Sequence, residues 1–143
     1  MQIKETIKNN KIKPKYYRNI LRSFIIGGII AIIGQGLIYF YFSVCNLDKK
    51  LSQTLMSVTL ILVASILTGM GIYDKLGQYA GCGTIIPITG FANSMTSSAM
   101  ESRSEGVFLG IASNLFKLAG SVITFGVVSA AVFGLIRYFL EVM

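Results

Sequence analysis

GQYAGCGTIIPITGFANSMTSS, residues 77–98, is the stretch on which the fold of this chain turns. It carries no charge, is broken by Gly77, Gly81, Gly83 and Gly90, and lies between hydrophobic runs long enough to cross a membrane. A segment so rich in Gly, Ser and Thr cannot fold as a simple lipid-facing helix, because hydrocarbon offers nothing to its polar groups. It is expected to dip into the membrane against protein or a water-filled cavity. Pro87 removes a backbone donor and disfavours helical geometry at Ile86, so a break is expected between Ile86 and Gly90. Beyond it, Phe91, Met95 and Ala99 recur at helical spacing, with Asn93, Ser94, Thr96 and Ser97 as a polar surface alongside. Thr89 is a candidate cap, and free amides near Gly90 and Phe91 would carry the partial positive charge that suits an anion. The competing reading is an amphipathic helix resting at the interface after a surface loop. The apolar run Ile85, Ile86, Pro87 and Ile88 favours re-entry, since a solvated loop has little reason to carry it.

Working outward, the 143 residues are 53% hydrophobic and 13% charged, against about 25% charged in a soluble domain. The expected class is an all-α integral membrane protein. Its small helical bundle has three full spans, at about residues 23–44, 55–73 and 106–140, plus the broken segment, re-entrant or interfacial, at 77–98. Residues 23–143 form one transmembrane domain, too small for a further soluble domain, and a pore would require oligomerisation. Ahead of it, residues 1–22 hold Lys4, Lys8, Lys11, Lys13, Lys15, Arg18 and Arg22 against Glu5 alone, nearly all of the formal net charge of +7. Such a tail belongs on the cytoplasmic side and suits anionic membrane lipid. No nucleic-acid partner is expected, because only Tyr16 and Tyr17 interleave the basic run as aromatics. The apolar stretch after Arg22 is too long for a signal-peptide core and reads as a retained helix.

Chemistry of the enzymatic kind is poorly supplied. The chain has no histidine, which removes the usual zinc sites, Ser-His-Asp triads and Cys-His dyads. Cys45 and Cys82 form no CxxC pair. Asp74, Glu101 and Glu105 offer carboxylates without a nucleophile, metal cluster or phosphate loop beside them. No catalytic residue, metal or cofactor is therefore assigned, and a membrane enzyme is the weakest of the open classes.

Polar residues inside the spans are the candidates instead. Gln35 sits mid-span between Gly34 and Gly36, as an interhelical hydrogen bond or as pore lining. Ser113, Asn114, Lys117, Ser121 and Thr124 follow three- and four-residue steps, a polar stripe along one side of the last helix. Lys117 is the one strongly placed intramembrane charge; it needs a carboxylate, a carbonyl, water or an anionic permeant, or it snorkels. Asp74, Glu101 and Glu105 are possible structural partners. Gly106 with Gly110, and Gly126 with Ala130 and Gly134, form small-residue rows for helix packing, and Gly120 is a candidate bend.

The run GMGIYDKLGQYAGCGTIIPITGFANSMTSSAMESRSEG, residues 69–106, followed by GIASNLFKLAGSVITFGVVSA, residues 110–130, resembles the SpoVAC/SpoVAE family of sporulation membrane proteins. Gly81, Gly83, Pro87, Thr89, Gly90, Phe91 and Asn93 carry the most specific part of the likeness, with Cys82 standing where a small residue such as alanine is expected. The resemblance implies a subunit of the channel in the forespore or spore inner membrane that moves dipicolinic acid, as calcium dipicolinate, during sporulation and germination. It further implies gating by membrane tension and partnership with other SpoVA proteins, the soluble SpoVAD and the membrane protein SpoVAE, in a homo- or hetero-oligomer. The candidate path is residues 87–93 together with the face from Ser113 to Thr124; the alternative is a non-conducting scaffold that docks other SpoVA proteins. If residues 77–98 re-enter and return, the last helix ends opposite the N-terminus; if they cross, both termini share a side.

Overall fold

The computed structural model describes residues 16–142, so most of the basic tail lies outside the described residues. The described chain is helical, without strands. Three helices are long and apolar enough to cross a membrane: Tyr16–Val44, Lys49–Gly69 and Val107–Glu141. The protein is thus an all-α membrane protein.

α1 (Tyr16–Tyr39) widens at its far end into a π-helical turn, Phe40–Val44. It begins seven residues before Ser23, the expected start, because the apolar pattern marks where the chain enters hydrocarbon and not where helical bonding begins. Asn46, at φ 51°, turns the chain; asparagine tolerates this left-handed region. Asp48 then caps α2 (Lys49–Gly69), its carboxylate accepting from the Lys50 N–H at 3.3 Å. This cap draws residues 49–54 into the helix, ahead of the expected start at Leu55. α2 stops at Gly69, with Gly71 at φ 69° closing the end as C-terminal glycines do. Tyr73, expected as the last residue of this span, therefore lies in the next element. Across the hairpin, the Thr59 hydroxyl donates to the Leu55 carbonyl at 2.8 Å, which leaves the Tyr41 phenol to donate to Thr59 across 2.8 Å. Gly34 is buried against Met56 and Leu60.

α3 (Ile72–Ala80) is amphipathic and closes the open end of the hairpin. Tyr73, Leu76 and Ala80 face inward at helical spacing, while Asp74, Lys75 and Gln78 are exposed. The Ser23 hydroxyl donates to the Ala80 carbonyl at 2.6 Å, tying α3 to the start of α1.

The segment after α3 enters and returns. Gly81 adopts φ 55° and ψ −125°, a conformation that glycine alone takes readily. The short helix α4 (Cys82–Ile85) then climbs α1, Gly83 lying on the backbone of Ser23 and beside Gly27. Pro87 shares a groove with Gly27 and Ala31, and Ile88 lies with Met56 and Leu60. From Ser23 to Ala31 is about 12 Å at 1.5 Å per residue, approaching the middle of a hydrocarbon core of about 30 Å. α5 (Ile88–Glu101) then descends beside α2: Ala92 packs with Ala64 and Tyr73, and Asn93 meets Thr68. The segment is a helical hairpin with its apex at Ile86 and Pro87, packed along α1 and α2.

Two breaks replace the single expected one. The chain is interrupted at Gly81 and again at Ile86–Pro87, whereas Gly90 sits inside the first turn of α5. Pro87 holds the cap position, with no side-chain bond, so Thr89 is not the cap. The Gly90 N–H is not free either, since it donates to the Pro87 carbonyl at 2.9 Å.

A tight turn, Ser102–Glu105, and Gly106 at φ 94° lead into a π-helical stretch, Val107–Ala112, and the long α6 (Ser113–Val142). The irregularity in helical bonding falls here, while Gly120 lies inside the continuous α6. Gly110 packs on Ser102 of its own turn, so the Gly106–Gly110 row serves the turn and not a neighbouring helix. From Gly120 to Glu141 every residue of α6 is exposed.

Candidate permeation site

The hairpin is held from below by one side chain. Tyr73, 4% exposed, places its hydroxyl 3.0 Å from the Thr84 carbonyl and 2.8 Å from the Thr89 hydroxyl. A phenol has one proton, so it donates to the carbonyl and accepts from Thr89. The ascending and descending legs are thereby tied to α3 through a single group. The legs also touch directly, because Gly90 lies against the carbonyls of Thr84 and Ile85, where any Cβ would overlap. Thr84 closes the lower turn, its hydroxyl reaching the Gly81 carbonyl at 3.0 Å.

Asn93 and Thr68 form the second tie, 2.7 Å apart, while the Thr68 hydroxyl also lies 2.7 Å from the Ala64 carbonyl. One hydroxyl proton cannot serve both acceptors. With Thr68 donating to Ala64, the Asn93 amide presents its NH2 to Thr68. Thr89 and Asn93, expected to line a path, thus spend their polar groups inside the fold.

The other candidates are arranged differently. Pro87 is at the apex, and Phe91 is 38% exposed on the outer side of α5. Gln35 is exposed and lines a lateral groove of about 290 Å³ with Pro87 and Ile88, so the apex and the mid-span amide do share a surface. Asn114 bridges the turn to α6, donating to the Ser102 hydroxyl at 2.8 Å and the Gly110 carbonyl at 3.1 Å. Ser113 and Lys117 are exposed, and the Ser121 hydroxyl is bonded back to Leu118 at 2.8 Å. Among the described residues the ion pair is Arg137 with Glu141 on α6, so Asp74, Glu101 and Glu105 do not pair with Lys117. The structure therefore brings Gln35 and Pro87 together, and Thr89 with Asn93 into the interior, but leaves the Lys117 stripe outside.

The sequence pattern of the SpoVAC/SpoVAEB sporulation membrane proteins matches residues 19–136, from the first turn of α1 to near the end of α6. The chain belongs to this family. It is 49% identical over 138 residues to a protein named Stage V sporulation protein AC from Bacillus subtilis (strain 168), a match covering 96% of this chain and 92% of that protein. No solved structure matches. Membership of the SpoVAC/SpoVAEB family makes this a membrane protein of sporulation.

For this family member the side chains that hold the hairpin were not among the expected site residues. Ser23, Thr68, Tyr73, Thr84 and Ser102 look in sequence like tolerated polar residues in or near spans, and no local pattern distinguishes them. Ser23, Tyr73, Thr84 and Thr68 act over separations of 11 to 57 residues, which only the folded chain closes.

Proposed function

We propose that this protein is a subunit of a SpoVA channel in the forespore or spore inner membrane that passes dipicolinate, as its calcium chelate, under control of membrane tension. The observation that carries the reading is Lys117: a cation about ten residues into the last span, about 15 Å along it at 1.5 Å per residue, exposed and without a carboxylate partner among the described residues. Facing lipid, such a charge costs roughly 2.5–3.5 kcal/mol even on insertion scales. Facing a hydrated path shared by several subunits, it stays solvated and attracts a carboxylate-bearing solute. Ser113 and Thr124 lie on the same side of α6, and copies of α6, alone or with other SpoVA proteins, would surround the path. With the hairpin entering the membrane and returning, the crossings number three; the basic tail puts the N-terminus on the cytoplasmic side, and the C-terminus then lies on the opposite one.

The test is dipicolinate release from liposomes under tension, comparing the full-length protein with Lys117→Met. Release is expected to fall at least about tenfold, the kinetic equivalent of roughly 1.4 kcal/mol, with oligomer size unchanged. Unchanged release in the variant would sink the reading. A second reading, a non-conducting scaffold that docks SpoVAD and SpoVAE, draws on the internal use of Thr89 and Asn93, which leaves the body of a single chain without their polar groups for a path. It predicts no release from the wild-type protein in the same liposomes.

A further inference from the structure

Two cavities on one side of the molecule meet end to end. The lower, about 280 Å³, lies at the entry of α1 and is lined by Asn19, Arg22, Gln78, Tyr79 and Gly81. The upper, about 430 Å³, is apolar and runs between α1 and the ascending leg of the hairpin, past Phe24, Gly27, Gly28 and Ala31 to Ile86 and Pro87. Ser23 and Cys82 line both, so the polar pocket and the apolar groove adjoin. The combined space begins where the apolar part of α1 begins and ends at the hairpin apex.

The lower pocket is built for an anion. The Arg22 guanidinium stacks over the Tyr79 ring, 4.3 Å from its centroid. Stacking uses the face of the guanidinium and leaves its N–H edge for a second partner. The ion pair among the described residues is elsewhere, so no described carboxylate takes that edge. Arg18 lies one turn below Arg22 on the same face of α1, and Asn19 and Gln78 add amide donors. A soluble anion would account for the lower pocket but leaves the upper groove without an occupant.

We propose that these two adjoining cavities together are a specific site for an anionic phospholipid: its phosphate on Arg22, Asn19 and Gln78, and one acyl chain along Gly27, Gly28 and Ala31 to Pro87. Basic pockets at the cytoplasmic ends of membrane helices recognise acidic headgroups in this way, and Tyr79 sits at the level where amphipathic rings favour the interface. The glycines form the groove. A Cβ at Gly28 would meet nothing within 4 Å, so the space beside it is open. The bound chain would contact the hairpin apex directly, so occupancy of the site bears on the hairpin. The inference rests on membrane placement and not on the channel reading.

The experiment measures lipid retained per chain by native mass spectrometry, with full-length protein titrated in detergent with phosphatidylglycerol, phosphatidylcholine or inorganic phosphate. Wild type is expected to prefer phosphatidylglycerol over phosphatidylcholine by about fivefold, the equivalent of one basic residue near a membrane surface. Arg22→Gln should abolish that preference. Gly28→Leu should reduce retention of both lipids while thermal unfolding stays near wild type, and Ala31→Phe, which fills the same groove from the next turn, repeats the test should Gly28→Leu fail to fold. Inorganic phosphate should not compete. Equal retention of both lipids by wild type, or retention unaffected by the groove-filling variants, overturns the proposal. Competition by inorganic phosphate together with silent groove variants would replace the lipid with a soluble anion.

Discussion

The hairpin body and the last helix are built from similar residues and end in opposite states. In the body, formed by α1 to α5, Ser23, Thr68, Tyr73, Thr84, Thr89 and Asn93 all spend their polar groups on one another or on backbone carbonyls. No buried side-chain nitrogen or oxygen among the described residues is left without a partner. In α6, Ser121 and Thr124 bond only to their own helix, and Lys117 stands exposed. The body is complete as a single chain, whereas α6 past its first turns has no neighbour within it. Bilayer physics separates the two: a re-entrant backbone must be satisfied by protein, while a continuous helix satisfies itself and leaves its side chains to whatever surrounds it.

The comparison breaks most sharply at Gly83. A Cβ there would overlap the backbone of Ser23, which cannot move aside as a flexible side chain can. Gly83→Val should cost roughly 3 kcal/mol or more, at the upper end of overpacking penalties, and thermal unfolding in detergent reads it; a near-native midpoint would mean that the ascending leg does not lie on α1. A smaller loss is expected from Tyr73→Phe. The Thr84 carbonyl and Thr89 hydroxyl lose their shared partner in a buried place, at about 1–3 kcal/mol. Protease sensitivity between Gly81 and Ile88 should rise with it, a readout that general destabilisation of α6 would not give. The smallest effect belongs to Gly126→Ala, where a Cβ meets nothing within 4 Å. In the isolated chain stability should hold or rise by under about 1 kcal/mol, since alanine is the better helix former. A loss of oligomer with the monomer intact would instead place that face against another subunit and sharpen the contrast between the two regions.

Much of the hairpin was legible at its apex and little at its base. Pro87 announces a break because its ring removes a donor whatever surrounds it. The second break, at Gly81, was one of several glycines, and only its positive φ distinguishes it from Gly77, which lies within α3. The sequence marks Asn93 and Thr89 as polar candidates for a path, whereas the fold turns both inward onto Thr68 and Tyr73. Helical spacing gives the face on which a residue lies, but whether that face meets water or Thr68 depends on where α2 passes. Tyr73 was assigned to the end of a span because it follows an apolar run. Its role arises from Gly71 turning the chain so that α3 closes the hairpin end.

Composition and hydrophobic run length settled the class of this protein, the number of long spans and the existence of an interrupted segment, because those follow from the cost of placing backbone and charge in hydrocarbon. The family resemblance was likewise present in the residues between Gly81 and Asn93. Tertiary structure alone decided that the segment doubles back on itself, that its polar groups are consumed in holding it, and that Lys117 is left outside. The reason is that hydrogen-bond partners and free faces are properties of pairs of residues distant in the chain, and local pattern records only one member of each pair.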